Sequence, residues 1–255
     1  MPPFNPYAYE FGLAASLDKI PGVSTVNKYG QAPDCDNGDP TDVWSGADAV
    51  TGTKIWVAPT VARTHVIASS SGDDAVAGSG VQMMRLYGLT TWDTEEETED
   101  VSVGDTTNKS WVIIYRIKCL TFGAGLTNAG IIKATATTDG TVTAVIQAGE
   151  GQTQMAIYAI PSTKVLRICN MRSEILGAAA TAGGIFHLLI KENVNLATSG
   201  FIHKEDAQFT RDAPFDRFYP LPKKVNGPAI IKAQVVATTA NSNVTGSIDG
   251  FVMQK

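Results

Sequence analysis

Charge is scarce in this sequence: Asp, Glu, Lys and Arg make up only 18% of its 255 residues. The 20 basic residues are outnumbered by 25 acidic ones, for a formal charge of -5. Phosphate neutralisation needs a clustered surplus of Lys and Arg, so direct nucleic-acid binding is excluded as a general function. Cysteine is scarcer still. Cys35, Cys119 and Cys169 are odd in number, far apart and form no CxxC pair, which rules out a disulfide scaffold and a thiolate zinc site and leaves reduced thiols. The first residues, Met1-Pro2-Pro3-Phe4-Asn5-Pro6-Tyr7, carry neither a basic nor an apolar leader, so no secretory signal is expected. The sequons at Asn108 and Asn243 then have no consequence. Long apolar runs are missing too. The most hydrophobic stretch, 176–190, is interrupted by Thr181, Gly183, Gly184 and His187 and is too short to span a bilayer, so no membrane partner is expected. The absence of a fixed-period repeat argues against a propeller or solenoid.

Against these absences stand 44% hydrophobic residues and 24 glycines, enough for a large buried core and far from the composition of disorder or collagen. The length suits one large β-sandwich with an appendage. Prolines at positions 2, 3 and 6 fix φ and remove amide donors, so the N-terminus reads as an extended arm. Leu13, Leu17 and Ile20 recur at helical spacing until Pro21-Gly22 stops the pattern. This predicts one short amphipathic helix whose apolar stripe packs on the sandwich or on a neighbouring subunit.

From Lys54 the period changes to two. Trp111, Ile113, Tyr115, Ile117 and Cys119 alternate as in a central strand, and further β-rich runs lie at 62–69, 81–89, 130–137, 142–147, 153–160, 164–171, 184–191, 229–238 and 247–253. Gly and Asp supply turns at 70–74, 138–141 and 148–151, with Asp139-Gly140 at the centre of a two-residue hairpin. The expected fold is all-β: an antiparallel, jelly-roll-like β-sandwich over 31–255, preceded by an extended N-terminal arm and one short helix over 1–30. An Ig-type sandwich is the nearest rival, but no Cys…Trp…Cys spacing supports it. The segment 198–222 mixes charges, aromatics and prolines, and reads as an excursion or edge strand that could serve as an interaction surface.

Active-site chemistry is nearly absent. Neither GxSxG nor a local Cys/His signature occurs. His65 and His187 sit in strand-like alternation and read as structural, and His203, beside Lys204, Glu205 and Asp206, as solvated or interfacial. The run Asp93-Thr94-Glu95-Glu96-Glu97-Thr98-Glu99-Asp100 offers carboxylates for glycoside cleavage, for calcium or for a basic partner, but charges this close in sequence read first as a solvated edge or loop. Asp34-Cys35-Asp36-Asn37-Gly38-Asp39-Pro40-Thr41-Asp42 resembles a calcium loop, yet Gly38 takes a ligand position and Ser45 falls at the twelfth, so a surface turn is preferred. The glycines of 122–130 lead to Ile131-Ile132 and not to Lys-Ser/Thr, which excludes a Walker loop and favours an inter-strand loop. Trp44, Trp56, Trp92 and Trp111 lie in separate segments and read as packing, not as a carbohydrate platform. No catalytic, cofactor-binding or metal-binding residue is assigned, and no enzyme is expected.

Several stretches carry a resemblance. Asp42-Val43-Trp44-Ser45-Gly46, Val61-Ala62-Arg63-Thr64, the Ser/Gly/Asp-rich 69–80 leading into 81–89, Thr127-Asn128-Ala129-Gly130, and 149–161 together resemble structural proteins of tailed bacteriophages. The resemblance spans roughly 40–170. It implies a non-enzymatic virion protein, a capsid decoration or cement protein that stabilises the head by bridging neighbouring subunits, or alternatively a head-fibre, neck or tail-tip adaptor or receptor-binding protein. The implied partners are copies of itself, as a homotrimer, and the major capsid protein or other virion proteins. The implied location is the virion, assembled in the host bacterial cytoplasm. A lightly charged, Gly- and Thr-rich sandwich with an arm suits packing against copies of itself.

Overall fold

The structure, a computed structural model, describes residues 6–17, 19–48, 52–176 and 182–255. Helix α1 (Pro6–Ser16) precedes strands β1 (Val23–Cys35), β2 (Pro40–Asp42), β3 (His65–Ser69), β4 (Val81–Leu89) and β5 (Glu97–Ser102). Then come β6 (Ile113–Phe122), β7 (Ile132–Ala136), β8 (Val142–Ile146), β9 (Ile157–Ile160) and β10 (Lys164–Leu176). The chain closes through β11 (Gly183–Glu192), β12 (Ile202–Thr210), β13 (Phe215–Asn226), β14 (Ala229–Ala237) and β15 (Ser242–Gln254).

The fold is all-β, antiparallel and sandwich-like. One large sheet has the order β1-β15-β10-β13, and the other has β12-β11-β14-β2 with β9 also paired to β14. Between β2 and β9 the chain builds two smaller sheets, β3-β7-β8 and β5-β4-β6. The large sheets face each other: Phe186 of β11 meets Phe215 of β13 at 5.3 Å between ring centroids. Trp44, Trp56, Trp111 and Tyr115 fill the core that continues under the smaller sheets. Strand β14 is covered on both faces, which explains its near-continuous apolar run, Ala229-Ile230-Ile231 and Val235-Val236-Ala237.

At Gly30 the two large sheets come into close contact. Gly30 lies opposite Gly246, and a Cβ on Gly30 would stand 2.3 Å from the Val43 carbonyl oxygen and 2.4 Å from the Ala156 nitrogen. These two atoms are hydrogen-bonded to each other at 2.9 Å, beside β14. Gly30→Ala must force the sheets apart and is expected to lower stability by about 2 kcal/mol, read as a shifted urea midpoint. An unchanged midpoint would show that the sheets do not pack in this way.

Some expectations need correction. The helix starts at Pro6 and ends at Ser16, ahead of Leu17 and Ile20. Proline is tolerated in a first turn, where its missing N–H has no intrahelical partner, so Pro6 opens a helix and does not extend the arm. Residues 1–5 of the expected arm lie outside the described residues. Residues 23–30, grouped with the arm from the sequence, form the first part of β1, paired to β15 from Val23↔Met253 onward. Strand β6, expected to be central, is the outer strand of its sheet, with β4 in the middle. A loop covers its free edge, where Cys119 N–H donates to Gly151 O at 2.8 Å and Thr153 N–H to Ile117 O at 2.9 Å. The β7–β8 hairpin forms where Asp139-Gly140 predicts it, but its loop is longer than two residues. Ala136 N–H donates to Thr141 O at 2.8 Å, and Thr138 (φ 76) and Gly140 (φ 69) both take left-handed conformations. Asp139 accepts from Thr60 N–H, Thr60 Oγ1 and Thr141 N–H.

Candidate functional site

On β1 Val26, Lys28, Gly30 and Ala32 occupy the alternate, buried positions. The one charged group among them, Lys28, is 8% exposed and borders a cavity of about 530 Å³ shared with Glu95, Glu96, Tyr115, Arg116 and Tyr158. Lys28 Nζ donates to Tyr115 O at 2.8 Å. It lies 4.4 Å from the Tyr115 ring centroid and 5.5 Å from that of Tyr158, and the two rings pack edge to face at 5.0 Å. Tyr115 Oη donates to Glu96 at 2.5 Å, and Glu95 pairs with Lys164 at 3.0 Å. Burial drives the Lys28 amine down to about 7, against the pull of Glu96 and with the push of Arg116. The result is an amine that exchanges its proton near neutrality inside a polar, aromatic cavity. Sequence reasoning missed it; the available signal was a lysine on the inward side of an alternating segment.

A second polar cluster is wholly internal. Asp42, fully buried at the end of β2, accepts from Lys232 Nζ at 2.5 Å, Gln234 Nε2 at 2.8 Å and Trp56 N–H at 2.8 Å. Lys232 also lies 4.4 Å from the Phe201 ring centroid. Burial pushes the Asp42 carboxyl up, and the Lys232 ammonium opposes it.

The histidines divide. His65 is buried, its Nδ1 sits 3.0 Å from Arg63 O, and burial lowers its pKa to about 4, so it is a neutral structural group. His187 and His203 come together on Asp206: His187 Nδ1 is 2.5 Å and His203 Nδ1 3.1 Å from the same Asp206 Oδ1. Taken one at a time in the sequence, His187 looks structural and His203 solvated or interfacial. Their convergence depends on strand register, which the spacing of 187 and 203 does not reveal.

The acidic run takes the edge alternative, with β5 as an outer strand. Asp100 pairs with Arg85 at 2.6 Å, Glu97 with Lys109 at 2.8 Å, and Glu99 accepts from Asn108 N–H and Lys109 N–H. In 34–42, Asp34 and Asp36 both pair with Lys54, at 2.7 and 3.3 Å. Asp34 and Asp36 thus converge on a lysine, and Asp42 turns away to Lys232. The glycine-rich 122–130 connects β6 to β7 and is tied down by Asp74, which accepts from Ser69 Oγ (2.6 Å), Val81 N–H (2.9 Å), Ala129 N–H (2.8 Å) and Gly130 N–H (2.8 Å). Burial raises the Asp74 carboxyl, but these donors outweigh it and hold the group below the ordinary carboxylate value. Trp44, Trp56 and Trp111 are fully buried in the hydrophobic core, and the half-buried Trp92 packs against it. Cys35 and Cys119 are buried thiols pushed up to about 12 by burial, and Cys169 is half-buried.

The segment 198–222 contributes β12 and β13, the outer strands of the two large sheets. Pairing of β10 with β13 runs from Asn170↔Phe218 directly to Ile168↔Lys223, so Cys169 faces all of 219–222. Tyr219-Pro220-Leu221-Pro222 therefore leaves the sheet as a protrusion, with Phe218 65% and Leu221 88% exposed. Its prolines stiffen it and remove the donors another strand would need. Glu205 of β12 braces its base through Arg217 and Lys223. Phe11 of α1 touches Phe251 at 5.1 Å, while Leu13 and Leu17 stay largely exposed.

Among the described residues no helix is long and apolar enough to cross a membrane. No protein-family model matches the chain, and no curated protein matches it.

Proposed function

We propose that this chain is a non-enzymatic structural protein of a tailed-bacteriophage virion, a capsid decoration or cement protein that assembles as a homotrimer and bridges neighbouring capsid subunits. The observation that carries this reading is the protrusion 219–222 with the exposed Phe218 at its base. A solvent-facing Phe and Leu held on a proline-stiffened bulge lose their hydration cost only when a partner covers them. The exposed Leu13 of α1 and Leu17 just beyond its end supply a second contact of the same kind. The low charge of the whole chain fits a surface largely covered by sister subunits or capsid.

The test combines light scattering with binding to purified particles. The parent chain is expected to run as a trimer and to decorate capsids. Leu221→Asp is expected to cut particle binding by about tenfold or more with unchanged circular dichroism, and removal of residues 1–22 to reduce oligomer size. A parent that stays monomeric and is absent from particles would overturn the proposal.

The tyrosine-lined cavity favours a second reading, a head-fibre, neck or tail-tip adaptor or receptor-binding protein, with the Tyr115 and Tyr158 pocket holding a host glycan. Density at capsid threefold positions speaks for cement. Density at a vertex or tail speaks for this alternative.

A further inference from the structure

We propose that His187, His203 and Asp206 form a binding site for one divalent transition-metal ion of the Zn²⁺ class. The site is made by a slip in register. Along the β11–β12 pair His187 faces Asp206 and Leu188 faces Glu205, after which Leu189 faces His203 and Lys204 is left without an opposite residue. Residues three apart on a regular strand point to opposite faces. The bulge at Lys204 cancels that rule and turns His203 to the side occupied by Asp206, as bulges beside functional sites do.

Two of the three histidines in 255 residues thereby meet one carboxylate. The ligand atoms all lie within 4.8 Å of one another, and the imidazole rings stand edge to face at 4.7 Å between centroids. Nitrogen and oxygen ligands roughly 2.0–2.2 Å from a tetrahedral ion stand about 3.3 Å apart. His203 and Asp206 are exposed and free to rotate toward that spacing around the anchored His187. Two imidazoles with one carboxylate select Zn²⁺, Ni²⁺ or Cu²⁺ over Ca²⁺ and Mg²⁺, which prefer an all-oxygen shell.

Access and anchoring are both provided. The His187 side chain is only 12% exposed and is held by the sheet, whereas His203 and Asp206, at 53% and 56%, open to solvent and leave room for a water as fourth ligand. In register His187 also faces Gln234 of β14 and Leu189 faces Lys232, and both of these β14 side chains are committed to Asp42, which holds the Lys232 ammonium in the interior. A bound ion would pin the outer strand β12 to β11 at the point where their pairing slips.

The experiment uses the full chain after treatment with a chelator, titrated with Zn²⁺ by calorimetry and with Co²⁺ by visible absorption. The expected result is one ion per chain, with Co²⁺ bands of a nitrogen- and oxygen-ligated site. His187→Gln and His203→Gln should each weaken binding by about tenfold or more. His203 is exposed, so its replacement leaves the fold intact and keeps the test valid should the His187 variant fail to fold. Cys169→Ser should bind as the parent does. No saturable binding, binding that survives both histidine substitutions, or sulfur-to-cobalt charge-transfer bands would each overturn the proposal. The readout is stoichiometry per chain and so is independent of whether the protein joins a capsid.

Discussion

Replacing Asp42 with alanine is expected to cost about 3–5 kcal/mol of folding stability, because it strands the Lys232 ammonium in a dry interior. Lys232 is 3% exposed and Asp42 0%. Taking an ammonium out of water is tolerable only while a carboxylate faces it, and here the carboxylate also satisfies Gln234 and the Trp56 amide. Lys232→Met alone is expected to be milder in acid than at neutral pH, since the orphaned Asp42 can take up a proton and remain hydrogen-bonded. The double variant Asp42→Ala, Lys232→Met removes both charges, and is expected to recover about 2 kcal/mol relative to the sum of the single changes. Urea denaturation of the four chains gives the cycle. Strict additivity would show that the two groups do not interact.

Replacing Lys28 with methionine is expected to make stability less dependent on pH and to raise it in mild acid. The folded chain holds the Lys28 proton more weakly than the unfolded chain, with the amine lowered from 10.5 to about 7, so protonation favours unfolding. The cost is complete below about pH 7 and vanishes above the ordinary lysine value. A shift of this size corresponds to about 5 kcal/mol. Loss of the hydrogen bond to Tyr115 O takes back about 1 kcal/mol. The variant is therefore expected to exceed the parent by about 4 kcal/mol at pH 6 and to fall slightly below it at pH 10. Denaturation midpoints of both chains across this range decide the matter; parallel curves would mean that Lys28 keeps its proton at ordinary affinity.

The same residues explain what the sequence could convey. Strand β4 is legible to the residue, Val81–Leu89, because Gly80 precedes it and Met84 and Leu86 alternate inward against the more exposed Arg85 and Tyr87. Strand β1 is illegible because its inward positions hold Val26, Lys28, Gly30 and Ala32: one is charged, two are small, and the period-two signal fades. The reasons those residues are there, a cavity at Lys28 and a sheet contact at Gly30, exist only in three dimensions. Edge position was readable for β12 and β13, where charge and proline are incompatible with a central strand. The protrusion at 219–222 was not, since it arises from a skip in pairing with β10. The metal-ligand cluster runs against the regular rule: i and i+3 on a strand should diverge, and only the unpaired Lys204 brings them together.

The position of β15 has a consequence for how the molecule comes into being. This strand lies between β1 and β10, joining Val23 to Met253 and Lys164 to Gln254, yet a ribosome makes it after both. While residues 242–254 are still to be synthesised, β1 and β10 wait with open edges that the finished molecule hides. Pairings this distant in the chain slow folding, and waiting edges are the surfaces through which nascent copies join wrongly. A cell making many copies at once therefore meets its greatest risk of aggregation just before translation reaches this strand, and slower initiation or a chaperone that shields β1 should raise the soluble yield more than any change to the folded surface.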